Sequence, residues 1–195
     1  ALVIERGLFS EDGQRTLYKT KVDGCSSVFP PNKARLKQYD IAPAFDVVWE
    51  RTITCSRYDT LCAAGQTPPP DVIKIDVQGA ELDVLLGFGG LLTGCLGIEL
   101  ETHMYPIYEG QGVFGDIVAY LDRFGFGLRR MDPHFTFDAE AVEFDVFFTK
   151  RLDRLPAPAE RALRKLAVID QVWKLGRSED GARMAAVANR EYPPG

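Results

Sequence analysis

The sequence predicts an α/β fold, a parallel sheet with helices on its faces, and three observations carry that expectation. From residue 71 onward, β-prone runs alternate with helix-periodic ones, as in parallel strands joined by helical crossovers. The stretch "VIKIDVQGAEL" at 72–82 passes from strand to helix within a few residues. A length of 195 residues, 46% hydrophobic and 26% charged, suits one compact domain.

The elements follow in order. Residues 2–9, "LVIERGLF", and 16–20, "TLYKT", are short β-prone runs around "SEDGQR", whose Asp12-Gly13 pair predicts a hairpin turn. "GCSSVFPPN" is a polar, proline-stopped loop; Ser26 and Ser27 are either cleft-lining or plain loop residues. "FDVVWERTITCS" is rich in β-branched and aromatic residues and reads as a strand, and "RYDTLCAAG" as a short helix ended by Gly65. Prolines 68–70 form a stiff connector into "DVIKIDV", a buried strand.

"GAELDVLLGFGGLL" then reads as a helix presenting Leu82, Leu85 and Leu86, and "CLGIELETH" as a strand. "VFGDIVAYLDRFGF" is an amphipathic helix with Phe114, Ile117, Val118 and Leu121 on one face. "GLRRM" and "AVEFDVFFTK" read as a terminal pair of strands around a loop, "DPHFTFDAE", that holds His134. "PAERALRKLAVIDQVWKL" reads as a helix entered through Pro158, and "GRSEDGARMAAVANREYPPG" as a further short helix before a frayed end.

Bulk properties narrow the function. A net charge of −5 disfavours a nucleic-acid binder, and the basic Arg161, Arg164 and Lys165 read as a solvated helix face. No apolar run approaches a membrane span and no signal segment opens the chain, so a cytoplasmic location is expected. Cys25, Cys55, Cys62 and Cys95 form no C-x-x-C pair, so reduced thiols are expected and no metal site is assigned. The chain opens on strand-like "ALVIERGLF" without methionine, which predicts a processed or truncated polypeptide.

Residues two apart on a strand share a face. Lys74 and Asp76 therefore point the same way, with Asp76 at the carboxyl end, where open α/β sheets bind ligands. Glu81 falls in the first turn of the following helix and complements its dipole. Glu99, Glu101 and His103 are also spaced by two, so they climb one face toward the same rim. Buried acids need partners, and Lys74 on the neighbouring strand is the natural one for Glu99 or Glu101. His103 reads either as a general base oriented by a carboxylate or as a strand-end cap. Asp76, Glu101 and His103 together also suit a divalent cation, which keeps a metal-dependent hydrolase as an alternative. Glycines 87–90 follow a helix and read as its termination, not as a phosphate loop.

Taken together, "PDVIKIDVQGAELDVLLGFGGLL", "GIELE" and "YEGQGVFGDIVAYLDRFGFGL" resemble the FkbM family of S-adenosylmethionine-dependent methyltransferases, and "GLFSEDGQRTLY" and "CSSVFPPN" look like that family's hairpin and serine loop. The resemblance spans about residues 3–149. It implies a class I, Rossmann-like methyltransferase sheet with a terminal antiparallel strand over residues 1–152, followed by a C-terminal helical extension over 153–195. It also implies O-methylation of a hydroxyl on a sugar, glycolipid or polyketide-type acceptor. Asp76, Val77, Gln78 and Glu81 match the donor-binding strand–helix unit, with Asp76 beside the transferable methyl group. Asp76, Glu101 and His103 are the candidate catalytic residues.

The family's glycine-rich "D-x-G-A-N-x-G" loop and its first two strands have no counterpart here. The implied sheet then has a gap before "VIKIDV". Three expectations follow: a longer protein, a sheet completed by another chain such as a homodimer partner, or a non-catalytic half-site module that binds a partner or glycan.

Overall fold

The computed structural model describes residues 2–176. Its strands fall into two sheets. The first has the order β1 (Gly7–Leu8), β3 (Val47–Ser56), β2 (Gly13–Thr20). β1 pairs with β3 in parallel and β2 pairs with β3 antiparallel. The expected hairpin of the first two strands is thus replaced by a three-stranded arrangement with β3 in the middle. Asp12 serves a helix instead of a hairpin. Its carboxylate accepts hydrogen bonds from the Arg57 amide and the Thr60 hydroxyl, both at 2.9 Å, fixing the start of α2 (Tyr58–Ala63). The connection from β2 to β3 carries the four-residue α1 (Lys33–Leu36), capped by the Asn32 side chain.

The second sheet has the order β4 (Val72–Ile75), β5 (Gly97–His103), β7 (Glu140–Lys150), β6 (Phe126–Phe137). β4 and β5 are parallel, while β7 inserts antiparallel between β5 and β6. This mixed α/β arrangement is consistent with a methyltransferase-like fold. Among the described residues parallel pairing is confined to β1–β3 and β4–β5, and the last two strands are joined by a two-residue turn that can only reverse direction. Asp138 and Ala139 both adopt positive φ, 49° and 70°, as a tight hairpin turn requires. The run expected to be a loop is therefore strand almost to its end, and His134 lies on β6.

β4 is an edge strand, not the strand buried on both sides that its sequence predicts. Val72 is 43% exposed, Lys74 is exposed, and only Ile73 and Ile75 point into the core. α3 (Glu81–Phe88) and α4 (Phe114–Asp122) cover one face of this sheet. There Ile98, Leu100, Val146 and Phe148 meet Val84, Leu85, Ile117 and Leu121 in the main core. Gly89, with φ 50°, ends α3, as expected of the glycine run. α5 (Ala159–Trp173) crosses the opposite face, its Leu166 and Ile169 packing with Leu96 and its Trp173 against Phe147. A Cβ on Gly97 would lie 2.7 Å from that indole, so only glycine lets the helix approach so closely. The helix predicted near the C-terminus falls within 177–195, outside the described residues.

Candidate functional site

The turn from β4 into α3 sets the geometry of the site. Gln78 and Gly79 take positive φ, 52° and 93°, which reverses the chain within two residues. Gly79 abuts the Tyr108 ring so closely that a Cβ would lie 2.6 Å from it. Gln78 is thereby turned toward β5, where its amide donates to Glu101 Oε1 while its Oε1 accepts from the Tyr108 hydroxyl at 3.2 Å. Ser27, one of the two loop serines, is buried and donates to the Gln78 carbonyl at 2.6 Å, tying the first sheet to this turn.

Each predicted residue has a distinct fate. Asp76 is exposed at the end of β4 and, with Val77, lines a groove of about 350 Å³ between the open β4 edge and Leu8 of β1. Glu81 is wholly buried: its Oε1 caps the Gly79 amide at 2.9 Å and burial raises its pKa. Its Oε2 has no hydrogen-bond partner. Lys74 pairs with Glu99 at 2.6 Å, one of the two partners expected for it.

Glu101 and His103 do share a face of β5, and the structure adds two acids from β7 to them. The register places Glu101 opposite Asp145 and His103 opposite Glu143. His103 is 1% exposed, with Nδ1 at 2.8 Å from the Gln111 amide and Nε2 at 3.2 Å from Glu143. His134 approaches from β6, where the register shifts between Pro133 and Phe135 and leaves it as the extra residue of a bulge. Its Nδ1 is 2.9 Å from Asp145, and its Nε2 faces Glu101 at 3.7 Å and Glu143 at 3.6 Å.

Glu101, Glu143, His134 and Gln78 line one end of a cavity of about 340 Å³ whose other walls include Ile41, Phe45 and Phe137. Burial, then the neighbouring Glu143 and Asp76 charges, push the Glu101 carboxyl up to about 7. The hydrogen bond to Asp145 raises the His134 imidazole. Cys25, also on the cavity wall, is held as an unreactive thiol by burial, its pKa raised to about 11.

Residues 76–78 therefore divide two hollows: Asp76 and Val77 face the groove and Gln78 faces the cavity. His103 stands behind the cavity wall and reaches it through Glu143. Sequence reasoning missed Glu143 and Asp145, although "VEFDVFF" repeats the signal used on β5: two acids spaced by two in an apolar strand.

A family model described as the methyltransferase FkbM domain matches residues 11–128, more than half of the chain. No curated protein and no solved structure matches it. The chain belongs to the FkbM methyltransferase family, and that membership supports methyl transfer as its activity.

Proposed function

We propose that this family member is an S-adenosylmethionine-dependent O-methyltransferase acting on a hydroxyl of a sugar, glycolipid or polyketide-type small molecule. The observation that carries the reading is the pair of hollows divided by residues 76–78, one apolar and open, the other ending in a proton-accepting cluster.

The groove residues fit one side of the donor. Ile73, Ile75 and Val84 offer it an apolar wall, and the exposed Asp76 carboxylate lies at the mouth, where negative charge favours a sulfonium. The bound donor would supply an electrophilic methyl group. An acceptor hydroxyl in the cavity has two carboxylates before it. Glu143 takes the hydroxyl proton as the methyl group leaves the donor sulfur and the new C–O bond forms, and Glu101, whose carboxyl is pushed up to about 7 by burial and its acidic neighbours, stands beside it. His103, itself fixed by the Gln111 amide, holds Glu143 from behind, and Gln78 holds Glu101. Phe45 and Phe137 form an aromatic wall on which an apolar part of the acceptor can rest. Four free cysteines agree with a reducing, cytoplasmic location as part of the same proposal; among the described residues no helix is long and apolar enough to cross a membrane.

The test is methyl transfer from S-adenosylmethionine to a panel of hydroxyl acceptors. Glu143→Gln should lower kcat by about 10²–10⁴ while leaving S-adenosylhomocysteine affinity unchanged. Wild-type turnover by Glu143→Gln would overturn the role of this residue.

A second reading is favoured by the open edge of β4, whose only partner among the described residues is β5. An unpaired edge invites strand addition. In this reading the chain is a half-site, and its donor groove is completed by strands from outside the described residues, in the same polypeptide or in a second copy. A folded chain that binds S-adenosylhomocysteine only when self-associated, or a folded monomer that binds none, would support this reading over the first.

A further inference from the structure

We propose that Glu101 of β5, His134 of the β6 bulge and Asp145 of β7 hold one divalent cation of the Mn²⁺ or Zn²⁺ class at the polar end of the cavity.

One ligand atom from each of the three residues lies within 4.8 Å of those from the other two. Bonds of about 2.0–2.2 Å to one ion set neighbouring ligand atoms roughly 3–3.5 Å apart, so small side-chain adjustments close the set. The three side chains come from three adjacent strands. Glu101 is 8% exposed at its side chain and its Oε1 is held by Gln78. Among the described residues its Oε2 accepts no hydrogen bond, and it faces His134 Nε2 at 3.7 Å, beyond hydrogen-bonding distance.

The charge pattern points independently to a cation. Like charges directly opposite on neighbouring strands repel, yet Glu101 and Asp145 are register partners, and so are Asp132 and Asp145. Glu143 adds a further acid on the same face, 3.6 Å from His134. The nearby permanent cations have other partners: Lys74 bonds Glu99 at 2.6 Å and Arg130 bonds Asp132 at 2.7 Å. Of the side chains that line this end of the cavity, His134 alone can carry positive charge; it faces the lining carboxylates Glu101 and Glu143, and Asp145 just behind them.

The bulge adds a third line of argument. Bulges re-aim side chains and recur beside functional sites, and His134 is the residue this one turns toward Asp145 and Glu101. If Nδ1 binds the ion beside Asp145, Nε2 faces Glu143 at 3.6 Å, a carboxylate outside the ligand set that can fix the ring, the usual means of orienting a histidine ligand. One imidazole with two carboxylates suits a borderline divalent ion better than calcium, which takes oxygen alone.

The function of the ion rests on the reading of the cavity as the acceptor site. There the ion would bind the acceptor hydroxyl and acidify it, leaving Glu143, backed by His103, to take the proton. Binding itself can be tested without donor or acceptor. Mn²⁺ is the probe, since it competes poorly for the four free thiols. Titration of the metal-stripped chain, followed by Mn²⁺ electron paramagnetic resonance, should show one ion per chain with micromolar affinity. His134→Ala and Asp145→Asn should each weaken it at least tenfold. His134 is half-exposed, so its variant should fold, which a circular-dichroism melt checks. Millimolar binding, or binding unchanged in both folded variants, would overturn the site. Neither result would touch the methyl-transfer reading, which depends on turnover by Glu143→Gln.

Discussion

The two faces of the four-stranded sheet are made from alternate residues of the same strands, yet they follow opposite rules. On the face under α3 and α4, Ile98, Leu100, Val146 and Phe148 are each at most 1% exposed and pack into the main apolar core, where a buried cation, Lys150, lies at the strand's end over the Phe126 ring. On the other face, Glu101, His103 and Glu143 are also buried, at 7%, 1% and 9%. The first face gains stability from every carbon it removes from water. The second holds like charges against each other, which costs stability that the first face must supply. A protein tolerates such an arrangement where it is used. The contrast locates the site before any motif is consulted.

The largest effect should come from the apolar face. Leu100→Ala removes a fully buried side chain and should cost about 2–5 kcal/mol in urea unfolding. A cost below about 1 kcal/mol would mean that this face is not the stabilising one.

The adjacent residue should behave in the opposite way. The Glu101 carboxyl titrates near 7 in the folded protein, against an ordinary 4.5, because of burial first and then Glu143 and Asp76. Between those values the folded state keeps a proton that the unfolded state has lost, so stability falls as pH rises from about 4.5 through 7. The slope approaches about 1.4 kcal/mol per pH unit at its steepest, for a total on the order of 3 kcal/mol. Glu101→Gln should flatten this window and be the more stable protein at pH 7. His134, also raised, loses its stabilising contribution in the same direction, so the difference between wild type and variant at each pH is the quantity to read. Equal slopes for the two proteins would place Glu101 outside the charged cluster.

Much of this division is legible in the sequence, but not its most consequential parts. The two-residue spacing of Glu99, Glu101 and His103 places them on one face, and the Lys74–Glu99 pair follows from neighbouring parallel strands. β3, β5, α4 and α5 are legible because their apolar periodicity is long and uninterrupted. The order β1-β3-β2 is not, since strand order is decided by contacts distant in sequence, and the Asp12-Gly13 signal is spent on capping α2. The sequence cuts β6 short because Asp132, Pro133 and His134 have loop-like propensities. A bulge absorbs them into the strand, and with them the histidine that approaches Glu101. His103 is the opposite case: its position is legible, but its burial behind Glu143 depends on packing that no local pattern records.

The smallest effect should come from the residue whose place in the sequence is most anomalous. Lys74 in an apolar strand suggests a buried charge in need of an acid. Because β4 is an edge strand, its side chain is 61% exposed, and the 2.6 Å pair with Glu99 stands largely in water. Exposed pairs of this kind contribute about 0–1 kcal/mol, since solvent screens the attraction and two long side chains lose freedom to make it. Lys74→Ala should therefore change stability by less than about 1 kcal/mol, and a double-mutant cycle with Glu99→Ala should give a coupling of similar size, weakened by salt. A coupling of several kcal/mol, insensitive to salt, would mean that the β4 edge is covered in solution. Lys74 would then belong with Glu101 among the buried charges, and the open groove beside Asp76 would be an interface.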